Sequence, residues 1–209
     1  VARVDTLNPR HEVYIKHLTE ELRSEGYAVD SWGYEAVLPD IKMSGVGFDF
    51  SLSALQMRSS FDLVVRDSRT GFICHIDGKT TPFRDDTGNV AVEVWPMLFG
   101  RKHRVPRLVV FEDIASWGLW LDSLDPSWFS RYRMPDRWDA SQQRRFHEMI
   151  CDLGDDLPQP HSKITWWNSV WASGDPYYLW PVVKVVEAGK PYLVAIQERS
   201  TEFGEGESK

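Results

Sequence analysis

Apolar residues recur at three- and four-residue spacing over residues 10 to 25, RHEVYIKHLTEELRSE, where Tyr14, Ile15, Leu18 and Leu22 form one stripe. That spacing predicts an amphipathic helix. Pro9 stands just before it and Gly26 is a natural stop. Tyr27 to Val29 then resume in an extended style. Between 31 and 60, Gly33, Pro39, Gly45 and Gly47 break the pattern into expected short strands and loops. There Phe48, Phe50 and Leu52 alternate with polar partners as in a strand, and SALQMR fits a helical turn equally well.

FDLVVRD and GFICHID are short runs rich in β-branched and aromatic residues, separated by SRTG. They predict a β-hairpin with Gly last in the loop. Residues 89 to 103 read as a helix, with Asn89 as N-cap and Pro96 as a kink or early end. RLVVFED, 107 to 113, reads as a short buried strand. A helix between strands predicts an α/β fold, a central mixed β-sheet flanked by helices.

The C-terminal part is less regular. WGLWLDSL fits a strand or a short helix, and DPSWFSRYRMPDRW is irregular. DASQQRRFHEMICDLG predicts a helix capped by Asp139 or Ser141 and stopped at Gly154. YLWPVVKVVE and KPYLVAIQE read as two strands joined through Ala188 and Gly189, followed by a frayed polar tail, TEFGEGESK. The expected division is a core over residues 10–115 and a C-terminal Trp-rich extension over 116–209.

Charge narrows the function classes. Net charge is −7, and splitting after Asp113 leaves 14 basic against 17 acidic residues, then 10 against 14. Neither part has the bulk positive charge of a sequence-independent nucleic-acid binder. A local basic patch or a metal site that gathers carboxylates is still allowed. No apolar run reaches the roughly 20 residues of a membrane helix, and VARVDTLNPR has no apolar signal core. Two cysteines, Cys74 and Cys151, give no disulfide framework, so reduced thiols in a cytoplasmic protein are expected.

The residues that suggest chemistry lie on the hairpin. If Asp67 faces Phe72, Val64 faces His75 and Asp62 faces Asp77, so two carboxylates are cross-strand neighbours. Lys79, two residues further on, points to the same side as Asp77. A one-residue slip would put Asp62 on the opposite face. Like charges placed opposite one another repel, and a divalent cation removes the objection; Mg²⁺ is commonly held by one or two carboxylates with waters and phosphate oxygens. Gly78 would let the backbone bend and offer its carbonyl as a further ligand. Lys79 would hold a water and balance charge developing on a phosphate. The same residues also fit an exposed strand end, with Lys79 as salt-bridge partner of two acids.

The stretch SSFDLVVRDSRTGFICHIDGKTT resembles the PD-(D/E)xK, or restriction-endonuclease-like, nuclease superfamily. In that family an Asp opens one hairpin strand and (D/E)-x-K ends the next; the matching residues are Asp62 and Asp77-Gly78-Lys79. The preceding helix, the following NVAVEVWPMLFGRKHRVPRLVVFED and the pair Thr80-Thr81 are similar to the family's arrangement over roughly residues 10 to 115, closest to resolvase-like and defence-associated nucleases. Phe61 departs from the pattern, because the family often has Pro there. The resemblance implies a Mg²⁺- or Mn²⁺-dependent endonuclease acting on DNA. Asp62, Asp77 and Lys79 would be catalytic, and Asp62, Asp77 and Gly78 would hold the metal. Family members often add a Glu from the first helix. Glu12 is the preferred candidate, Glu21 the other, and Asp49 competes with Asp62.

Other features are weaker. Glu93 reads as a solvated helix residue, and His75 as a core histidine that shares the Asp face. Six histidines without HExxH spacing and no CxxC pair give little support for zinc. No Gly-rich phosphate loop and no GxSxG are present. Arg101-Lys102-His103-Arg104 with Arg107, and Arg131, Arg133 and Arg137 among Tyr132 and Trp138, fit phosphate contacts or ordinary surface roles. Trp166, Trp167, Trp171, Tyr177, Tyr178 and Trp180 suggest core packing, or an interface with a second copy or a partner protein.

Overall fold

The stripe of the first segment becomes helix α1, Pro9–Ser24, with Tyr14, Leu18 and Leu22 buried. The computed structural model describes residues 9–31, 61–80, 88–102, 106–129, 132–133, 139–153 and 177–207. After α1 the chain turns at Gly26, at φ 89°, into β1, Ala28–Ser31. The hairpin follows as β2, Leu63–Arg66, and β3, Ile73–Lys79. Its register is the expected one: Val64 pairs with His75 and Arg66 with Ile73. The turn sets it, because the Asp67 N–H donates to the Phe72 carbonyl at 2.9 Å and the Gly71 N–H to the Asp67 carbonyl at 2.8 Å.

The segment expected to be one helix over 89–103 is instead strand β4, Asn89–Glu93, followed by α2, Val94–Lys102. Val90 and Val92 are buried and alternate with less buried neighbours, a period-two pattern that continues only as far as Glu93. Pro96 then falls in the first turn of α2, where no intrahelical N–H is required. β5, Arg107–Phe111, runs parallel to β3, and β6, Trp117–Trp120, pairs antiparallel with β5.

Beyond it come the two-residue β7, Tyr132–Arg133, and α3, Ala140–Leu153. Asp139 caps α3: its Oδ1 accepts the N–H groups of Ser141 and Gln142, and Gln142 Oε1 accepts the Asp139 N–H. β8, Tyr177–Pro181, is a strand as expected, but Val182–Ala188 forms α4 and Tyr192–Glu207 forms α5, with only Lys190–Pro191 extended between them as β9. The tail expected to fray therefore belongs to a helix as far as Glu207. Tyr192, Ala195, Ile196 and Ser200 are buried at helical spacing, and this tertiary contact overrides the β propensity of the valines.

The main sheet has six strands in the order β1-β2-β3-β5-β6-β9, and a second sheet has the order β4-β8-β7. The fold is α/β, a mixed sheet flanked by helices. Residues after 115 complete the main sheet, since β6 and β9 are two of its strands. One face of that sheet packs Leu63, Val65, Cys74, Ile76, Leu108 and Val110 against α1 and α5. The other packs Val109, Phe111 and Leu119 with β4, α2 and β8. Each fully buried leucine of α1 is worth about 1.5–3 kcal/mol of burial free energy.

Candidate active site

The alternation of β3 decides what surrounds each residue. Ile76 and Cys74 enter the α1 side, whereas Asp77 and Lys79, in register with Val109 and Phe111 of β5, lie on the side that faces the second sheet. Gly78 sits between them under α1: a Cβ there would lie 2.6 Å from Ile15 Cδ1. Its φ is not positive, so Gly78 serves the close approach of the helix rather than a backbone bend.

Asp62 lies one residue before β2, beyond the last ladder pair Leu63–Ile76, and its N–H donates to the Ile76 carbonyl at 3.0 Å. Its carboxylate is oriented by two contacts. Oδ2 accepts the Gly78 N–H at 2.7 Å, and Oδ1 lies 3.1 Å from His11 Nε2. Lys79 Nζ donates to Asp77 Oδ1 at 2.8 Å and to Glu93 Oε2 at 2.6 Å. Asp62, Asp77, Lys79, Glu93 and His11 therefore form one charged cluster, built from α1, the β2–β3 hairpin and the end of β4. The first turn of α1 is tied down beside it, since Arg10 Nε donates to Glu112 Oε2 at 2.6 Å and its Nη2 contacts Asp113.

The charges are unevenly satisfied. Asp77 is 4 % exposed, and its Oδ2 is buried without a hydrogen-bond partner. Burial pushes the Asp77 carboxyl above its usual range, against the opposing pull of Lys79. Burial alone would lower the Lys79 ammonium, but Asp77, Glu93 and Asp62 outweigh it and hold the amine firmly protonated. Burial likewise acts to raise Glu93, and the Lys79 charge overcomes it and lowers its pKa. For His11 the desolvation penalty is outweighed by the bond to Asp62, and its pKa is raised.

Behind the cluster, His75 stacks on Phe61 with ring centroids 3.6 Å apart, and its Nδ1 is buried without a partner. Burial, reinforced by Arg107, lowers His75 to about 4. His75 is thus a neutral ring with an unsatisfied nitrogen rather than a satisfied core histidine. Arg107 is buried, donates to the Pro96 carbonyl and lies 5.4 Å from the Phe61 ring centroid, so it offers no surface for phosphate.

The donor chemistry suits a divalent cation, although the arrangement described gathers no set of three ligands. Carboxylate oxygens are the ligands that Mg²⁺ and Mn²⁺ prefer, and the orphaned Asp77 Oδ2 is a buried acceptor of the kind a cation satisfies. In the geometry described, Lys79 stands between Asp77 and Glu93. Among the described residues no three His, Cys, Asp or Glu side chains stand close enough together to hold a metal ion.

Most of the expected residues meet here. Asp62, Asp77, Gly78 and Lys79 lie together at the end of the hairpin, Asp62 joined through its bond to the Gly78 N–H. Glu12 is not among them: it is exposed, and no contact with the cluster is found for it among the described residues. The buried stripe Tyr14, Leu18 and Leu22 turns position 11 inward at i−3, i−7 and i−11, and position 12 outward. His11 is therefore the α1 residue that reaches Asp62, and the stripe itself carried that signal. Glu21 accepts the Tyr192 hydroxyl at 2.6 Å instead. Glu93, expected on a solvated helix, ends β4 and binds Lys79. Arg101 donates to the Leu124 carbonyl and packs over Phe129. Tyr178 and Trp180 are core residues. Asp49, His103, Arg104, Arg131, Arg137, Trp138, Trp166, Trp167 and Trp171 lie outside the described residues, as do the side chains of Lys102, Tyr132 and Arg133.

No protein-family model, curated protein or solved structure matches the chain. Among the described residues no helix is long and apolar enough to cross a membrane.

Proposed function

We propose that this chain is a metal-dependent endonuclease of the PD-(D/E)xK type that hydrolyses phosphodiester bonds in DNA. The observation that carries the proposal is Asp77: a buried carboxylate, paired through one oxygen to Lys79, left with the other unsatisfied, and close enough to Asp62 to feel its charge. The order of elements supports it too, with a helix before the hairpin and a helix–strand unit after it. DNA as substrate rests on the sequence resemblance, a cytoplasmic setting on two cysteines that make no disulfide framework, and a second copy on the need for two sites to cut both strands.

Mg²⁺ or Mn²⁺, held by Asp62 and Asp77 with the Gly78 carbonyl, would supply Lewis acidity and an acidified water. The chain's own residues do the rest. His11 and the Gly78 N–H hold the Asp62 carboxylate in one orientation. Lys79 places a permanent positive charge beside both carboxylates, where it can orient a water and offset negative charge developing on the phosphate. Low exposure of Asp77 and Lys79 keeps bulk water from screening that charge.

One observation favours a second reading. Lys79 is already ion-paired to two carboxylates, as it would be in a binding or scaffold protein whose charge cluster is purely structural. Plasmid nicking with Mg²⁺ or Mn²⁺ separates the two. The nuclease reading expects cleavage by the wild type and none by Lys79→Ala or Asp77→Asn. Neither cleavage of single- or double-stranded DNA or RNA nor uptake of a divalent ion would leave the scaffold reading standing. Metal uptake without cleavage would identify a subunit that acts within a larger complex.

A further inference from the structure

A lysine ammonium carries three N–H donors on a flexible stem, and a single acceptor leaves it free to turn about that one bond. Lys79 has two acceptors, and they come from different sheets. Asp77 Oδ1, on β3 of the main sheet, lies 2.8 Å from Nζ, and Glu93 Oε2, at the end of β4 in the second sheet, lies 2.6 Å from it. The backbone behind Glu93 is itself held: Glu93 pairs across to Tyr177 of β8 and Val92 to Tyr178, with Val92 and Tyr178 both buried. The Glu93 side chain is 34 % exposed and that of Asp77 5 %, so one ammonium spans a shallow carboxylate and a deep one and keeps 11 % exposure of its own. For its remaining N–H no acceptor is found among the described residues.

Resting on the nuclease reading above, we infer that Glu93 is a positioning residue: it fixes the direction of the Lys79 ammonium, so that the remaining N–H is presented in one orientation to an oxygen of the scissile phosphate. Glu93 touches neither the substrate nor the reacting atoms and acts only through Lys79. Asp77 already gives the ammonium a counter-charge at 2.8 Å, so what Glu93 adds is a direction. With one acceptor the other two N–H groups sweep a cone, and with two acceptors on separate sheets the third donor points one way. Misplacement of a reacting or stabilising group by about an ångström can cost on the order of 10²-fold in rate, which is the scale of what this second anchor protects. It explains why a glutamate from a distant strand meets the lysine of a hairpin that already carries two aspartates.

The test separates position from charge. Glu93→Asp keeps the carboxylate and draws it back by one methylene, whereas Glu93→Gln keeps the length and an acceptor oxygen and removes the charge. Both are compared with wild type for kcat and KM in cleavage of a short DNA duplex with Mn²⁺, on the intact chain and per folded molecule, with folding checked by circular dichroism. If Glu93→Asp fails to fold, Glu93→Ala takes its place with the same expected loss. The inference expects Glu93→Asp to lower kcat by at least about tenfold with KM within about twofold of wild type, and Glu93→Gln to stay within about threefold of the wild-type kcat. A loss in Glu93→Gln that equals or exceeds that in Glu93→Asp, a change confined to KM, or wild-type kcat in both variants overturns it and leaves the nuclease reading intact. Wild type that cleaves no DNA overturns that reading, and this inference with it.

Discussion

Two buried aspartates on one hairpin are treated in opposite ways. Asp67, at the turn, is 2 % exposed and Asp77, at the far end, 4 %. Both oxygens of Asp67 are satisfied. Oδ1 accepts the Arg69 backbone N–H and Nε, each at 2.9 Å, and Oδ2 accepts Arg69 Nη2 at 2.9 Å and the Ser200 hydroxyl at 2.8 Å. Hydrogen bonds from Arg69 hold the Asp67 carboxyl down at about 2. Asp77 has one partner, an empty-handed second oxygen and a pKa pushed upward by burial. Asp67 shows what this fold does with a carboxylate that serves stability: it closes the turn and ties it to α5. Asp77 is not built that way, and the missing partner is the physical reason to assign it chemistry.

The largest expected difference is in activity. Asp77→Asn or Lys79→Ala should lower DNA nicking by about 10²–10³-fold or more, the scale of removing one electrostatic stabiliser. Asp67→Asn should leave activity per folded molecule unchanged. Comparable losses from all three would erase the distinction between the two ends of the hairpin.

Stability should rank them the other way. In metal-free buffer, Asp67→Asn should cost about 1–3 kcal/mol in chemical denaturation, because satisfied buried partners lose their acceptor. Asp77→Asn should cost less, since Glu93 still holds Lys79 and the charge removed is one the fold resists. A larger loss for Asp77→Asn would show that its ion pair is structural.

Acid titration sharpens the contrast. The folded pKa of Asp67 lies below its unfolded value near 3.8, so its contribution is complete above pH 3.8 and disappears as pH falls through about 2. His75 is lowered from 6.5 to about 4, so the unfolded chain takes up the proton first. Stability from His75 is complete above about pH 6.5 and declines as pH falls toward 4. His75→Phe, which keeps a ring against Phe61, should flatten the melting temperature between pH 6.5 and 4 while leaving the steeper acid limb of Asp67. An unchanged slope would mean that His75 is not held neutral. The smallest effect belongs to an exposed helix end: Asp139→Ala should cost about 1 kcal/mol through loss of the α3 cap, read by thermal melting.

The legible part of the fold was the part with strong local rules. The α1 stripe, the four-residue turn between Asp67 and Phe72, and period-two alternation along β2 and β3 specified the register from Leu63–Ile76 to Arg66–Ile73, just short of Asp62. Glu93 was obscured because β4 is five residues long and runs straight into α2, so Asn89 resembled a helix cap. Val182, Val183, Val185 and Val186 have strand propensity yet lie in α4, where packing of Val185 into the core decides. Pairing of β4 with β8, about ninety residues away in sequence, has no local signature at all. His11 lies on the stripe, three residues before Tyr14, but no motif singles out a histidine there.

A crystal structure of the wild-type chain grown with Mn²⁺, read by anomalous scattering, decides whether the end of the hairpin holds a metal. The expected result is an anomalous peak bonded to the carboxylates of Asp77 and Asp62. Saturating Mn²⁺ with no peak at Asp77 would rule the metal-dependent reading out.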